Sequence, residues 1–158
     1  MPKETDDTRQ IAGNRKAFHD FFVEDRFEAG IVLVGTEVKS LREGRVNLRD
    51  SYAEVRGGEV YLMGVHISPY EAGNLANHDP LRPRKLLLHA NEIGRLEQKI
   101  FEKGYTLVPT RMYFRGSRVK VEIGLARGKK QYDKRADMAT RDAARDVQRA
   151  LRQRDDDR

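Results

Sequence analysis

The sequence predicts a mostly β protein, an OB-like antiparallel β-barrel with small flanking helices and a basic C-terminal tail, and three observations predict it. Paired glycines, Gly57 and Gly58, join two apolar runs; two longer runs close the body around Arg115-Gly116-Ser117; and beyond Gly128 the composition shifts to charge and alanine. The chain accordingly divides into a flexible N-terminal arm at residues 1–12, an OB-like body at 13–127 and a basic tail at 128–158 that is disordered when free.

Residues up to about Ile11 are polar, acidic-rich and aperiodic, which predicts a frayed arm. Asn14 is placed to cap a helix in which Ala17, Phe18, Phe21 and Phe22 recur at helical spacing, with the phenylalanines read as core. Phe27-Glu28-Ala29-Gly30 leads into the apolar run Ile31-Val32-Leu33-Val34, predicted as a buried strand. Thr36 is placed to cap a short helix through Val38 and Leu41 that stops at Gly44.

Tyr52-Ala53-Glu54-Val55 and Val60-Tyr61-Leu62-Met63 flank Arg56-Gly57-Gly58-Glu59, whose glycines supply the positive φ angles of a tight hairpin. Residues 73–84, with Asn74, Asn77, Asp79, Pro80 and Pro83, predict a long loop. Lys85-Leu86-Leu87-Leu88 follows as a strand, with Leu87 on the face opposite Leu86 and Leu88, turned to a second packed layer or to a partner. Asn91 opens a helix with Ile93, Leu96 and Ile100 on one stripe, ending at Gly104. Residues 105–114 and 118–125 are the last two strands; Val119, Val121, Ile123 and Leu125 alternate with Lys120, Glu122 and Gly124, giving one buried and one solvated face.

In the tail, Ala136, Ala139, Ala143, Val147, Ala150 and Leu151 recur at helical spacing, but an alanine stripe buries little area. That predicts a segment that turns helical on a charged partner.

The 158 residues suffice for one domain with a hydrophobic core, and the balance of 31 basic against 25 acidic residues points to RNA, DNA or an anionic surface. The absence of cysteine excludes disulfides, thiolate zinc sites and cysteine nucleophiles. No apolar run approaches the roughly 20 residues of a bilayer span, and the polar start lacks the apolar core of a secretory signal. The expectation is a cytoplasmic protein with no membrane partner.

Catalytic patterns are missing. His19, His66, His78 and His89 show no H-E-x-x-H spacing, and there is no G-x-S-x-G elbow, Walker loop or G-x-G-x-x-G fingerprint. Glu28, Glu37 and Asp50 are spaced for caps and salt bridges as well as for a metal. The reading is a protein that is not an enzyme, with no catalytic residues, no metal and no cofactor.

The run Ala126-Arg127-Gly128-Lys129-Lys130-Gln131-Tyr132-Asp133-Lys134-Arg135 carries the most chemistry. Its cations neutralise phosphates, its glycine admits close backbone approach and its tyrosine can stack on an unpaired base; the plainer reading is a solvated linker.

The set Asn14-Arg15-Lys16, Phe27-Glu28-Ala29-Gly30, Glu37-Val38-Lys39-Ser40-Leu41-Arg42, Asp50-Ser51-Tyr52, Asp79-Pro80, Arg84-Lys85-Leu86-Leu87-Leu88 and the run from Gly128 to Arg135 closely resembles the SsrA-binding protein (SmpB) family of bacterial trans-translation, from about Ile11 into the tail. The resemblance implies an OB-like barrel that binds transfer-messenger RNA, accompanies it to ribosomes stalled on messages without a stop codon, and has no catalytic site. It implies that the body fills the place of the anticodon arm that this RNA lacks and holds its elbow. The RNA-binding residues it implies are Asn14, Arg15, Lys16, Glu28, Arg84, Lys85, Leu87 and Gly128, with Lys129 and Lys130 approaching phosphates. Tyr132, Asp133, Lys134 and Arg135 would sit at the small-subunit decoding site, with the next segment helical in the empty messenger channel.

Two positions depart from the family pattern: Thr36, where many relatives carry a bulky aromatic, and the acidic end Asp155-Asp156-Asp157. A general structured-RNA-binding OB-fold protein and a metal-dependent nuclease are the competing classes.

Overall fold

In the computed structural model the described residues are 8–70, 77–102 and 104–129, with Arg145 and Arg149. Along them run β1 (Thr8–Gly13), α1 (Arg15–Asp20), β2 (Phe21–Ile31), α2 (Gly35–Arg42), β3 (Val46–Asn47), β4 (Tyr52–Arg56), β5 (Glu59–Met63), β6 (His66–Ile67), β7 (Arg84–Leu87), α3 (Ala90–Phe101), β8 (Tyr105–Arg115) and β9 (Arg118–Gly128). The chain divides into two units, Met1–Gly128 and Lys129–Arg158, and the sheet belongs to the first.

The main sheet closes on itself. Its order is β1-β8-β4-β5-β7-β2-β9, and β9 pairs again with β8, so β8, β4, β5, β7, β2 and β9 form an antiparallel ring with β1 added along β8. Closure removes the exposed edges of these strands and gives the OB-like barrel. The small β3–β6 pair stands outside the ring.

Alternation turns one set of side chains inward. Leu62, Leu86, Leu107, Met112, Val121 and Ile123 are fully buried, and Leu41 of α2 and Leu96 of α3 join the same cluster. Burying a large aliphatic side chain contributes about 1.5–3 kcal/mol before chain entropy is counted. The β4–β5 hairpin turns on Gly57 and Gly58 at φ of 60° and 77°, as the paired glycines predict. The stripe Ile93, Leu96, Ile100 lies on α3, and the last two strands form the long β8–β9 ladder.

Four expectations change. The arm is a strand from Thr8 onward: β1 pairs with β8 from Thr8↔Arg115 to Gly13↔Arg111, because backbone groups pair without needing an apolar pattern. The first helix ends at Asp20, so Phe21 and Phe22 begin β2; Phe18 and Phe22 remain 39% and 37% exposed and are not core. β2 ends at Ile31, and Val32 and Val34 are each 46% exposed, so the run 31–34 is not a buried strand. Thr36 does not cap α2. The Glu37 carboxylate accepts the Val34 N–H at 2.9 Å, while Thr36 Oγ1 is 2.8 Å from His78 Nδ1.

Residues 1–7 of the expected arm, residues 73–76 of the expected loop, Lys130, Tyr132, Asp133, Lys134, Arg135, the predicted tail helix and the acidic end lie outside the described residues, apart from Arg145 and Arg149.

Candidate nucleic-acid interface

Register decides which side chains share the outer wall. Ala29 of β2 is buried in the core, which turns Glu28 and Gly30 outward; Glu28 pairs with Glu122 of β9, and Gly30 lies opposite both Lys120 and Leu87. On β8, Arg111 is opposite Glu122 and Tyr113 opposite Lys120. One outer face therefore runs from Lys85 and Leu87 on β7, through Glu28, Lys120 and Glu122, to Arg111, Tyr113 and Arg115 on β8.

Its carboxylates are matched by cations. Arg115 grips Glu28 through two nitrogens, each 2.9 Å from a carboxylate oxygen, and the Tyr113 hydroxyl donates to Glu28 Oε2. Arg111 lies 4.5 Å over the Tyr113 ring and donates to Glu122 at 3.4 Å, and Thr110 Oγ1 donates to the same carboxylate at 2.6 Å. Burial, then the hydrogen bond to Glu28, pushes the Tyr113 pKa well up, so the phenol keeps its proton and stays a donor. Glu28 thus acts through the cation and phenol that it orients.

Beside this face is a groove of about 330 Å³, lined by Gln10, Arg15, Phe18, Arg26, Arg111 and neighbouring residues. Arg26 sits 5.2 Å over the Phe18 ring. Among the described residues Arg15 and Arg26 meet no carboxylate, so their charge is available to an anion. The groove joins planar donors to an aromatic ring, a combination suited to phosphates and bases.

Asn14 is 6% exposed. Its Nδ2 donates to Leu48 O at 3.2 Å and Pro109 O at 2.8 Å, and its Oδ1 accepts from Ala17 N at 3.3 Å. The amide therefore fixes the start of α1, which carries Arg15 and Lys16. Lys16 pairs with Asp50, and with Asp20 at 3.9 Å.

Arg84 requires a correction. It is fully buried, with Nε 2.5 Å from Glu37 Oε2 and Nη1 2.7 Å from Val65 O, so it cannot lie on an RNA-binding surface. Burial lowers the Arg84 pKa; burial would raise that of Glu37, but hydrogen bonds from Arg82, Val34 and Arg84 outweigh it and hold the carboxyl low. Arg82 adds a second ion pair to Glu37. The cluster ties the strand start at Arg84 to the start of α2.

Leu87 resolves the other way. It is 52% exposed, while Leu86 is fully buried. A Cβ at Gly30 would come 3.3 Å from the Leu87 Cβ, so the glycine makes room for this side chain on the outer face. Lys85 shares that face and pairs with Glu59 at 3.3 Å. Gly128 ends β9 and Lys129 follows it.

Sequence reasoning missed Phe18, Arg26, Arg111 and Arg115 as surface groups, and Tyr113, 2% exposed, as the buried phenol that braces Glu28. The signal for the last three was the two-residue period of β8, which puts positions 111, 113 and 115 on one face. Among the described residues no group of three or more His, Cys, Asp or Glu is placed to hold a metal, and no helix is long and apolar enough to cross a membrane.

Comparison with known proteins gives consistent matches. The model of the SmpB protein family matches residues 11–153. The SsrA-binding protein of Symbiobacterium thermophilum is 58% identical over 158 residues, covering 99% of this chain and 100% of the relative. That of Carboxydothermus hydrogenoformans is 61% identical over 144 residues, covering 91% and 97% respectively. A solved chain described under "tmRNA-SmpB: a journey to the center of the bacterial ribosome" is 52% identical, with a TM-score of 0.64, covering 76% of this chain and 85% of that one.

Proposed function

The chain belongs to the SmpB protein family, and from that premise we propose that it binds transfer-messenger RNA (SsrA) and delivers it to stalled ribosomes for trans-translation, which tags the nascent chains for degradation. The observation that carries this reading is the family match across residues 11–153, which takes in the body and most of the tail. The protein works by binding, in the cytoplasm, and performs no reaction of its own.

The outer barrel wall meets the RNA. Arg15 and Arg26 neutralise phosphates at the groove, and Glu28, braced by the buried Tyr113 hydroxyl, holds Arg115 as a directed donor. Leu87 offers an exposed apolar contact at the far end of the same wall, and Asn14 contributes by fixing the helix start that presents Arg15 and Lys16. Cations alone bind any phosphate chain, so selectivity comes from the shape of the wall against the RNA elbow and from contacts to unstacked loop bases. Lys129 and Lys130 add phosphate contacts. Tyr132, Asp133, Lys134 and Arg135 occupy the decoding site, and the rest of the tail enters the empty messenger channel, where Tyr132 stacks on a ribosomal base.

Competition binding tests the reading. Labelled transfer-messenger RNA bound to the protein should resist displacement by ordinary tRNA. Equal displacement by tRNA would make this a general structured-RNA-binding protein, and cleavage of the RNA on adding magnesium would make it a nuclease.

A further inference from the structure

The barrel ring is thinnest between β4 and β8. Their register holds a single pair, Ala53↔Leu107, whereas β4 pairs with β5 from Tyr52↔Met63 to Arg56↔Glu59 and β8 pairs with β9 from Tyr105↔Arg127 to Arg115↔Arg118. Past that single pair Glu54 and Val55 run alongside Thr106 and Tyr105 without pairing, and a groove of about 550 Å³ lies in the seam, flanked by Glu97, Ile100 and Phe101 of α3. The edge of β4 from Glu54 onward is therefore open on the groove side.

Three features set what this seam can hold. Its walls are apolar and partly bare: Phe101 is 94% exposed and Tyr52 44%, while Val55 and Ile100 pack against the core and give the groove a floor. Tyr105 is fixed beside them by its hydroxyl, which donates to Glu24 Oε2 at 2.9 Å. The second feature is charge. Among the described residues the ionisable groups lining the groove are, apart from that phenol, the carboxylates Glu54 and Glu97, in a chain of 31 basic against 25 acidic residues. Arg56 sits on Glu54, but Glu97 meets no cation among the described residues, and the C-terminal end of α3 adds its partial negative charge. Such a surface turns phosphate away and favours a cationic partner. The third feature is alternation: Ala53 is buried, so Val55 shares its inward side while Tyr52 and Glu54 face outward. A strand added along this edge sets every second side chain beside Val55 and the others beside Glu54.

We propose that this seam is a docking site for an extended segment of a basic protein, one that alternates apolar residues with lysine or arginine and joins the barrel as a strand along β4. Its apolar side chains pack between Val55, Ile100 and Phe101, and its cations meet Glu54 and Glu97. None of these residues belongs to the wall that carries Glu28, so the segment does not compete with the RNA assigned to that wall.

The test uses the full chain labelled with nitrogen-15 and, as probe, a synthetic decapeptide alternating valine and lysine. The probe should shift the amide signals of residues 53–56, 97–101 and 105–107. Glu97→Lys should weaken its binding at least about tenfold and Phe101→Ser at least about fivefold, with transfer-messenger RNA affinity kept within about twofold in both. Both side chains are exposed, so both variants keep the core, and Glu97→Gln should fall between the wild type and Glu97→Lys. No shift at these residues, or unchanged binding in the variants, would overturn the proposal. So would equal binding of a peptide with glutamate in place of lysine, or of one with the same residues in two blocks, because neither alternation nor charge would then be read. Movement of these signals with protein concentration alone, or on adding oligouridylate or a synthetic peptide of residues 132–158 at equal concentration, would also overturn it, giving the groove to a second copy, to RNA or to this chain's own tail.

Discussion

Arg115 holds Glu28 through both of its terminal nitrogens at 2.9 Å, across 87 residues of sequence. A carboxylate on a wall proposed to bind phosphates looks misplaced until this pair is seen. The charge is spent on orienting Arg115 and Tyr113, so Glu28→Ala should weaken transfer-messenger RNA binding even though it removes a negative charge. The ion pair is partly exposed and adds little, but the buried Tyr113 hydroxyl loses its acceptor, so the stability cost should be about 1–3 kcal/mol. Filter binding beside a thermal melt checks both; tighter binding in the variant would mean that the carboxylate merely opposes phosphate.

Counterion release gives a separate handle on the groove beside that wall. Arg15→Gln with Arg26→Gln should flatten the slope of log affinity against log salt by about 1.4–1.8, and Lys129→Ala with Lys130→Ala should do the same. Titrations from low to moderate salt measure this. An unchanged slope would place the altered pair away from the RNA backbone.

Asn14→Ala should act on the fold as well as on binding. It strips two donors from buried carbonyls and one acceptor from the start of α1, a cost of about 1–3 kcal/mol. Urea unfolding reads that loss. A variant as stable as the wild type would show that the amide is not the clamp described.

Glu37 links stability to pH. Its carboxyl is held low in the folded protein, so its contribution is complete above the unfolded value of about 4.3 and is lost as pH falls through the folded value. Unfolding free energy should therefore drop on acidification below about pH 4, and Glu37→Gln should be less stable at neutral pH with a shallower acid dependence. Removing one partner of a buried pair costs about 3–5 kcal/mol, and Arg84→Ala should fall in that range. Denaturant titrations at pH 7 and pH 3 decide it; an Arg84→Ala variant of full stability that had lost only RNA affinity would restore Arg84 to the binding surface.

What could be read from the sequence follows the range of the interactions. The Gly57-Gly58 hairpin, the α3 stripe and the alternation of β9 from Val119 to Ile123 are local patterns that hold in the fold, whereas Gly124, expected on the solvated face, is buried against Val23 and Thr110. Phe21 and Phe22 misled because their three- and four-residue spacing from Phe18 also fits a six-residue helix followed by a strand. β1 carried no apolar pattern to announce it, since it is held by backbone pairing to β8. Glu28 was identified from a motif, but its partners Tyr113 and Arg115 lie 85 and 87 residues away, a distance that no local spacing encodes. Arg84 misled for the same reason: its partner Glu37 is 47 residues back, and only the fold shows the pair buried.

The central claim is that body and tail divide the work of rescue. A chain ending at Gln131 keeps the barrel but lacks Tyr132, Asp133, Lys134, Arg135 and the segment beyond. Reconstituted translation on a message without a stop codon, scored for both retained transfer-messenger RNA and tagged product, tests the division directly. The account predicts that the truncated protein binds the RNA like the full chain and yields no tagged product; normal tagging by the truncated protein would contradict it.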